Sequence, residues 1–249
     1  MLNKLIHTLY LKNHFRLVTY IVKILSIFND DYKKKISFFN YFKKRKKKYD
    51  QDILKLIYKP KIFIFEFPQN VNEIIKQIYN YENLFKKNSF TKDGHINVYQ
   101  SEHNLEKNKN FEKFSKKLED FINQKLQNFL IYKKLKIIKL WFVVTKKLGI
   151  IKKHSHFNSD FSGVFYLNIE ENNEIDDGLK IHNSLENVEI YKYSTESNQF
   201  IKTICLDKEL ILKPKKNDII IFNSYLEHSV NNKSTSSFDR LSLPFDLIF

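Results

Sequence analysis

Residues 162–168 read Ser-Gly-Val-Phe-Tyr-Leu-Asn, and this run indicates the fold class of the second half of the chain. It is rich in aromatic and aliphatic side chains, which is typical of a buried β-strand. From Leu135 onward, similar short apolar runs alternate with polar turns. They occupy residues 137–145, 162–169, 188–193, 199–206, 209–212, 218–222 and 241–249. Strands at this spacing predict an all-β sandwich or jelly roll.

The first half of the chain has helical periodicity instead. Apolar residues recur at intervals of three and four in residues 3–28, 71–85 and 110–129, which predicts amphipathic helices. One early strand is predicted over residues 62–67, where Ile and Phe predominate. Helices that precede a set of strands give an α+β fold, in which the helices pack on a β core.

The domain limits follow from this change of pattern and from the position of Pro60. We predict a basic helical extension over residues 1–60 and one domain over residues 61–249. Within that domain, residues 69–130 provide helical support and residues 135–249 form the β core. The length of 249 residues suits one full-sized domain with an appendage.

Positive charge is concentrated in the predicted extension. The whole chain holds 43 Lys and Arg against 28 Asp and Glu, a formal net charge of +15, and residues 1–60 hold 15 of the basic and 4 of the acidic residues. Lysine-rich segments interleaved with aromatic residues within residues 33–48 could bind the phosphates of nucleic acid or an anionic membrane surface. The entire chain is rich in Lys, Asn, Ile and Phe, so we favour a solvated charged face instead.

Glycine and cysteine are too rare for several kinds of site. The four glycines lie at positions 94, 149, 163 and 178, so neither a glycine-rich dinucleotide loop nor a Walker-type phosphate loop fits this sequence. Cys205 is the single cysteine, which excludes an internal disulfide, a cysteine-based zinc site and an iron–sulfur cluster. Any metal chemistry must therefore use His, Asp and Glu.

The apolar runs of this sequence are short. The longest one near the start, residues 17–28, contains Lys23, whereas a membrane span needs roughly 20 apolar residues. The run also lacks the small-residue cleavage site of a secretory signal, and a lone thiol fits a reducing compartment. We therefore expect no transmembrane segment and a cytoplasmic location.

Two of the eight histidines have a spacing that predicts metal binding. His154 and His156 are two residues apart, and in an extended backbone such residues project from one face, so both imidazoles can reach one ion. His228 follows the apolar run of residues 219–222 and so lies just beyond a strand end. The other histidines are expected to be ordinary surface or packing residues, at positions 7, 14, 95, 103 and 182.

Arg240 and Ser242 stand at the head of the last predicted strand and share one of its faces. A guanidinium beside a hydroxyl can hold a carboxylate, because the guanidinium offers two parallel donors and the hydroxyl offers a third. The pair therefore predicts an anchor for an acidic ligand. Pro244 interrupts the same strand, which predicts a sheet edge or a bulge at that point.

Three blocks of this sequence, taken together and in order, resemble the Fe(II)/2-oxoglutarate-dependent oxygenases of the prolyl-hydroxylase-like branch. The blocks are residues 154–167, 218–230 and 240–242. Trp141 and the Tyr-Gln-Ser segment at residues 99–101 are also similar to the family pattern. The resemblance covers about residues 62–249 and leaves residues 1–60 outside it.

The resemblance implies a double-stranded β-helix, which is a jelly roll braced by helices, and an iron site with two histidines and usually one carboxylate. His154 matches the first ligand and His228 the distal one. His156 stands where the wider superfamily often has Asp, so the third ligand is either His156 or Asp160 from the following loop. We favour His156, because a residue at i+2 shares a strand face with His154 whereas one at i+6 requires a folded loop.

For the cosubstrate, the resemblance implies that Arg240, assisted by Ser242, anchors the distal carboxylate of 2-oxoglutarate. Tyr166 either points its phenol at the cosubstrate or packs in the core. The implied enzyme is a 2-oxoglutarate/Fe(II)-dependent dioxygenase, with ascorbate as reductant. It would hydroxylate an unidentified small-molecule or peptidyl substrate and release succinate and CO2.

Two other functions stay open at this point. A three-histidine site would also suit a non-catalytic, cupin-like β-helix module that binds a metal or a small ligand. The basic segment at residues 1–60 would suit a protein associated with nucleic acid.

Overall fold

A computed structural model describes residues 40–68, 70–85, 95–130, 133–169, 178–182, 187–231 and 239–249. The chain divides into two compact units, with the boundary in the sequence between Tyr58 and Lys59. The predicted helix over residues 3–28, the lysines at 33–35, His7 and His14 lie outside the described residues, and the predicted domain limits stay predictions. No helix within the described ranges is long and apolar enough to cross a membrane.

The first unit is helical over most of its described part. Residues 40–48 have helical backbone, and helix α1 spans Gln51–Tyr58. The Asp50 carboxylate accepts a hydrogen bond from the Ile53 amide at 3.0 Å, which satisfies a free donor at the start of the helix. The lysines of the 43–48 segment are exposed, which agrees with a solvated charged face.

The second unit combines two long helices with many short strands. Helix α2 spans Asn72–Phe85 and helix α3 spans Glu112–Leu130. The strands in the described part are β1 (Lys61–Glu66), β2 (Ile96–Gln100), β3 (Lys136–Leu140), β4 (Val143–His154), β5 (Phe161–Asn168), β6 (Leu179–His182), β7 (Val188–Ser194), β8 (Gln199–Cys205), β9 (Glu209–Leu212), β10 (Asp218–Asn223), β11 (Glu227–Asn231) and β12 (Arg240–Ile248).

These strands form one hydrogen-bonded sheet that is nearly closed, like a barrel. Its order is β8-β7-β1-β10-β5-β12-β4-β11-β6-β9, with β2 added beside β4 and β3 added beside β12. The pairing of β1 with β7 is parallel, and the other pairings are antiparallel. A mostly antiparallel, nearly closed sheet with a few helices is consistent with the predicted jelly roll.

Helix α3 packs against the aromatic face of β1 and the residue that follows it. Phe63 contacts Phe129 edge to face, with ring centroids 5.0 Å apart. Phe67 contacts Phe121 in the same way, also at 5.0 Å. Aromatic pairs in this geometry add stabilisation to that of the buried apolar area. The predicted bracing of the β core by a helix is therefore present at this face.

The predicted strand over residues 137–145 is two strands, β3 and β4. The chain leaves the ladder at Trp141, whose amide donates a hydrogen bond to the Pro244 carbonyl (3.1 Å). β4 pairs with the first half of β12 and β3 with the second half, in one register across the break: Leu140 faces Phe245 and Val143 faces Ser242. The apolar run is continuous across the break, so the sequence pattern does not reveal it.

Pro244 lies inside the sheet, so the prediction of an edge or a bulge at this residue is wrong. It stands opposite Val164 of β5 on one side of β12. Its carbonyl faces Trp141 on the other side, and in an antiparallel strand the amide of a residue faces the same neighbour as its carbonyl. The missing N–H of Pro244 therefore points at the gap between β3 and β4, where the ladder is already interrupted.

We expect Gly163→Ala to destabilise the protein, although alanine normally suits a strand better than glycine does. A Cβ atom at position 163 would lie 2.2 Å from the ring of Phe245, and that ring is fully buried. Overpacking of this kind costs about 1–3 kcal/mol. The free energy of unfolding in urea, measured for the variant and the unmodified protein, checks this.

The matched variants are Phe245→Leu alone and Gly163→Ala with Phe245→Leu. If the ring is the obstacle, the double variant will be more stable than the sum of the two single effects. Strictly additive free energies would contradict the proposed overlap.

Candidate metal centre

Three imidazoles converge on one point of the second unit. His154 ends β4, His156 lies in the turn that follows, and His228 belongs to β11. Each offers a ligand atom, and these atoms lie within 4.8 Å of one another. The rings of His154 and His228 are 4.2 Å apart between centroids, and that of His156 lies 5.2 and 5.3 Å from them. We refer to these three residues as the imidazole cluster.

Strand pairing and a turn bring the cluster together. In the antiparallel pairing of β4 with β11, His154 and His228 are direct cross-strand partners, so their side chains lie on the same face. His156 is not part of β4, contrary to the expectation of a shared extended strand. Its amide donates a hydrogen bond to the Ser224 carbonyl (2.8 Å), and this bond holds the turn that carries its ring to the other two.

The Nδ1 atom of each ring is held by an oxygen acceptor. For His154 and His228 the acceptor is the carbonyl oxygen two residues earlier in the chain, at 2.7 and 3.0 Å. For His156 it is the carboxylate of Asp246, at 2.8 Å. Carbonyl and ionised carboxylate oxygens only accept, so each Nδ1 carries a proton and donates it. Nε2 of a neutral ring then has a free lone pair, which is what a metal requires.

Burial favours the neutral form of two rings. It lowers the pKa of His154 to about 4, and the neighbouring imidazole of His156 adds to the effect. His228 is 7% exposed, and burial, followed by the proximity of the two other rings, holds its pKa well below the usual value. At neutral pH these two side chains are therefore in the uncharged state that binds metals.

A buried carboxylate supports the third ring. Asp246 of β12 is 2% exposed, and its Oδ1 atom accepts hydrogen bonds from His156 Nδ1 and from the Ser162 hydroxyl, both at 2.8 Å. Burial acts to raise the pKa of Asp246, but the hydrogen bonds from His156 and Ser162 outweigh it, so the pKa lies below its usual value. Asp246 is therefore ionised at neutral pH beside the cluster.

Asp160, the alternative third ligand, has a different set of contacts. It is fully buried in the turn between β4 and β5. Its amide donates to the Leu247 carbonyl (2.8 Å), and its Oδ2 atom accepts a hydrogen bond from the Phe249 amide (3.0 Å). Asp160 thus fastens the turn to the end of β12, and it is not among the residues of the imidazole cluster.

Arg240, Ser242 and Tyr166 line the same cavity as the cluster. Ser242 lies directly opposite Tyr166 in the pairing of β12 with β5, and the guanidinium carbon of Arg240 lies 5.0 Å from the centre of the Tyr166 ring. Burial raises the pKa of the Tyr166 phenol, with the charge of Arg240 opposing part of the rise. The phenol is therefore a protonated donor at neutral pH.

The Tyr166 hydroxyl is buried and has no hydrogen-bond partner of normal geometry among the described residues. Such a group costs free energy unless something satisfies it. A buried donor without a partner, next to a guanidinium, suits a site that receives an acidic ligand. Three imidazoles in the same cavity suit a divalent ion such as Fe(II).

The cavity has a volume of about 130 Å³. Apolar side chains form much of its wall, including Phe222, Leu179 and Val230. His95 and His103, which we expected to be ordinary residues, also line it. The ring of His103 stacks on Trp141 with centroids 4.6 Å apart, and Trp141 stacks on His156 at 5.9 Å.

Asp246, which accepts the hydrogen bond of His156, is a residue of this candidate site that the sequence analysis missed. A signal was available, because Arg240, Ser242, Pro244 and Asp246 alternate along β12 and so share its face. An acidic residue on the inward face of a strand that is otherwise mostly apolar is unusual. His95 and His103 had no comparable signal, since neither has a partner at metal-ligand spacing.

Residues 139–246 match the sequence family described as "Putative 2OG-Fe(II) oxygenase". This segment of the chain is similar to the 2OG-Fe(II) oxygenases. It contains the imidazole cluster, and the family depends on Fe(II) and 2-oxoglutarate. No curated protein matches the chain.

Several solved structures have a similar fold. The epimerase SnoN in complex with Fe3+, alpha ketoglutarate and nogalamycin RO has a TM-score of 0.51 at 7% identity, over 79% of this chain and 83% of that one. HygX from Streptomyces hygroscopicus with nickel and 2-oxoglutarate gives 0.50 at 10%, over 80% and 86%. A prolyl-4-hydroxylase from Pseudomonas putida gives 0.49 at 12%, over 76% and 92%. At these identities, the two higher scores support the fold of the 2-oxoglutarate/Fe(II) oxygenase.

The buried hydroxyl of Tyr166 gives a prediction about stability. We expect Tyr166→Phe, measured without metal or 2-oxoglutarate, to leave the free energy of unfolding unchanged or to raise it by about 1 kcal/mol. The reason is that it removes a buried hydroxyl that makes no hydrogen bond of normal geometry among the described residues, and leaving such a group unsatisfied is costly. Urea unfolding checks this. A loss of stability of about 1 kcal/mol or more would show that the hydroxyl has a structural partner.

Proposed function

We propose that this oxygenase hydroxylates a C–H bond of an unidentified small-molecule or peptidyl substrate, with succinate and CO2 as co-products. The observation that carries the proposal is that the imidazole cluster and the Arg240 guanidinium line one cavity. The finer fold that we propose is a double-stranded β-helix. The cupin-like alternative has no observation of its own to favour it over this function.

In this proposal Fe(II) is held by the Nε2 atoms of His154, His156 and His228. The anchored Nδ1 atoms support this set, because they fix which nitrogen each ring presents. We prefer His156 to Asp160 as the third ligand, because the Asp160 carboxylate accepts the Phe249 amide instead. When bound together with 2-oxoglutarate, the iron supplies the activation of O2 that C–H oxidation needs.

We assign the distal carboxylate of 2-oxoglutarate to Arg240, Ser242 and Tyr166. The guanidinium can donate two parallel hydrogen bonds to a carboxylate, and the Ser242 and Tyr166 hydroxyls add further donors from the facing strand positions. The apolar wall residues limit the access of water, and electrostatic contacts are stronger in such surroundings. Binding of the acid would also satisfy the Tyr166 hydroxyl.

The first test measures succinate formation without a prime substrate. We expect the protein to convert 2-oxoglutarate to succinate slowly when Fe(II), ascorbate and O2 are present, and to stop when a chelator is added. His228→Ala should abolish the turnover, because it removes a ligand. His182→Ala is the matched control, since His182 lies on the neighbouring strand and contacts Ser229 and Glu209 instead.

Two outcomes would overturn the proposal. The first is a protein that neither binds metal nor forms succinate. The second is ligand binding that is insensitive both to chelators and to His228→Ala, which is the behaviour of a non-catalytic binding module.

Substitution of Arg240 tests the cosubstrate anchor. We expect Arg240→Met to raise the Kd for 2-oxoglutarate by at least about 10- to 100-fold, because the loss of even one hydrogen bond to a charged group costs about 1.5–3 kcal/mol. Arg240→Lys should fall between Met and Arg, since lysine keeps the charge but not the paired donors. Calorimetry on protein loaded with Co(II) under argon gives these constants. Equal affinity for all three proteins would place the acid elsewhere.

Partner and location have less support than the site itself. A nucleic-acid or anionic-surface partner for residues 33–48 is not favoured, because the described lysines of that segment form an ordinary exposed helix face. The cytoplasmic location stays a prediction.

A further inference from the structure

The three rings of the cluster differ in what holds them. His154 and His228 donate from Nδ1 to uncharged main-chain carbonyl groups. His156 donates to the carboxylate of Asp246. A carboxylate acceptor makes the imidazole behind it a stronger metal ligand than a carbonyl does, because negative charge builds up on the ring when it shares its proton. His156 is therefore set apart from the other two.

We propose that Asp246 is a positioning residue of the metal centre. It fixes the His156 ring so that Nε2 is presented to the metal, and it supplies from one hydrogen bond away the negative charge that three neutral imidazoles lack. This inference rests on the proposed function, because it requires the cluster to bind a divalent ion. It concerns this chain in particular, since its third imidazole stands where the wider superfamily often has Asp.

The surroundings of Asp246 are built to hold a charge in the core. Its Oδ1 atom accepts a second hydrogen bond, from the Ser162 hydroxyl on the paired strand β5. Ser162 in turn contacts the Ser224 hydroxyl at 3.2 Å, and Ser224 contacts Ser159 at 2.9 Å. All three serines are buried. A carboxylate at 2% exposure is costly unless it is hydrogen-bonded, and Oδ1 accepts bonds from His156 and from Ser162, which the other two hydroxyls hold in turn.

The charge of a bound divalent ion also favours this role for Asp246. If three neutral imidazoles bind a divalent ion, none of these ligands offsets its two positive charges. The Asp246 carboxylate offsets one of them, and the apolar sheet around it screens the attraction far less than water would. The carboxylate acts through the His156 ring, so it can strengthen metal binding without occupying a coordination position.

The primary test is Co(II) affinity by calorimetry under argon, with full-length protein. Asp246→Asn keeps the size of the side chain and an oxygen acceptor but removes the charge, and we expect it to raise the Co(II) Kd about 10- to 100-fold. Asp160→Asn is the matched control, a second fully buried aspartate whose carboxylate bonds the Phe249 amide. It should leave the Kd close to that of the unmodified protein.

A double-variant cycle separates this role from a general structural one. In protein carrying His156→Asp, the third ligand itself bears the negative charge, so Asp246→Asn should no longer weaken Co(II) binding and should relieve repulsion between two carboxylates. If Asp246 only stabilised the fold, Asp246→Asn would weaken binding equally in both backgrounds. That equal loss, or an unchanged Kd for Asp246→Asn alone, would overturn the inference.

A spectroscopic measurement keeps the inference falsifiable if the variants do not fold. In unmodified protein labelled with ¹⁵N and loaded with Zn(II), we expect the His156 ring to carry its proton on Nδ1 and to bind the metal through Nε2. Coordination through Nδ1 would refute the role of Asp246. An unmodified protein that binds neither Co(II) nor Zn(II) would instead refute the proposed function, so the two failures are distinguishable.

Discussion

The register between β4 and two of its neighbouring strands, β11 and β12, controls the geometry of the candidate centre. In the pairing with β11, His154 faces His228, and in the pairing with β12, Thr145 faces Arg240. A slip of one residue in either ladder would turn an imidazole or the guanidinium to the opposite side of the sheet. β4 therefore sets the relation between His154, His228 and Arg240, while the position of His156 depends on a turn.

The pairing of β5 with β12 places a charged group and a buried aromatic ring on opposite sides of one ladder. Ser162 stands opposite Asp246, and the next pair along the ladder is Gly163 with Phe245. Successive residues of a strand face opposite sides, so one side of this ladder provides the polar support of His156. The other side places the Phe245 ring where a glycine leaves room for it. The polar group and the packing of the ring thus depend on the same register.

The sequence predicted those parts of the fold in which burial makes the local composition apolar. The runs at 162–169 and 218–222 are apolar because their strands are buried on both faces, and β5 and β10 lie there. β11 was missed because its residues, Glu-His-Ser-Val-Asn, are mostly polar. The choice between His156 and Asp160 depends on Asp246 and Phe249, which lie about 90 positions away. No local pattern carries contacts of that kind, whereas the period of two did place Arg240 and Ser242 on one face.

The imidazole cluster and the Tyr166 end of the cavity differ in whether the protein itself supplies hydrogen-bond partners for their polar atoms. At the metal end each Nδ1 atom already has an acceptor, so the rings are oriented before an ion arrives and little conformational entropy is lost on binding. At the acid end the Tyr166 hydroxyl has no hydrogen bond of normal geometry among the described residues. Binding of an acid there would remove a cost that the folded protein otherwise bears. In the proposed function, the ion would therefore bind to rings that are already oriented. The acid would bind where the Tyr166 hydroxyl still lacks a hydrogen bond of normal geometry.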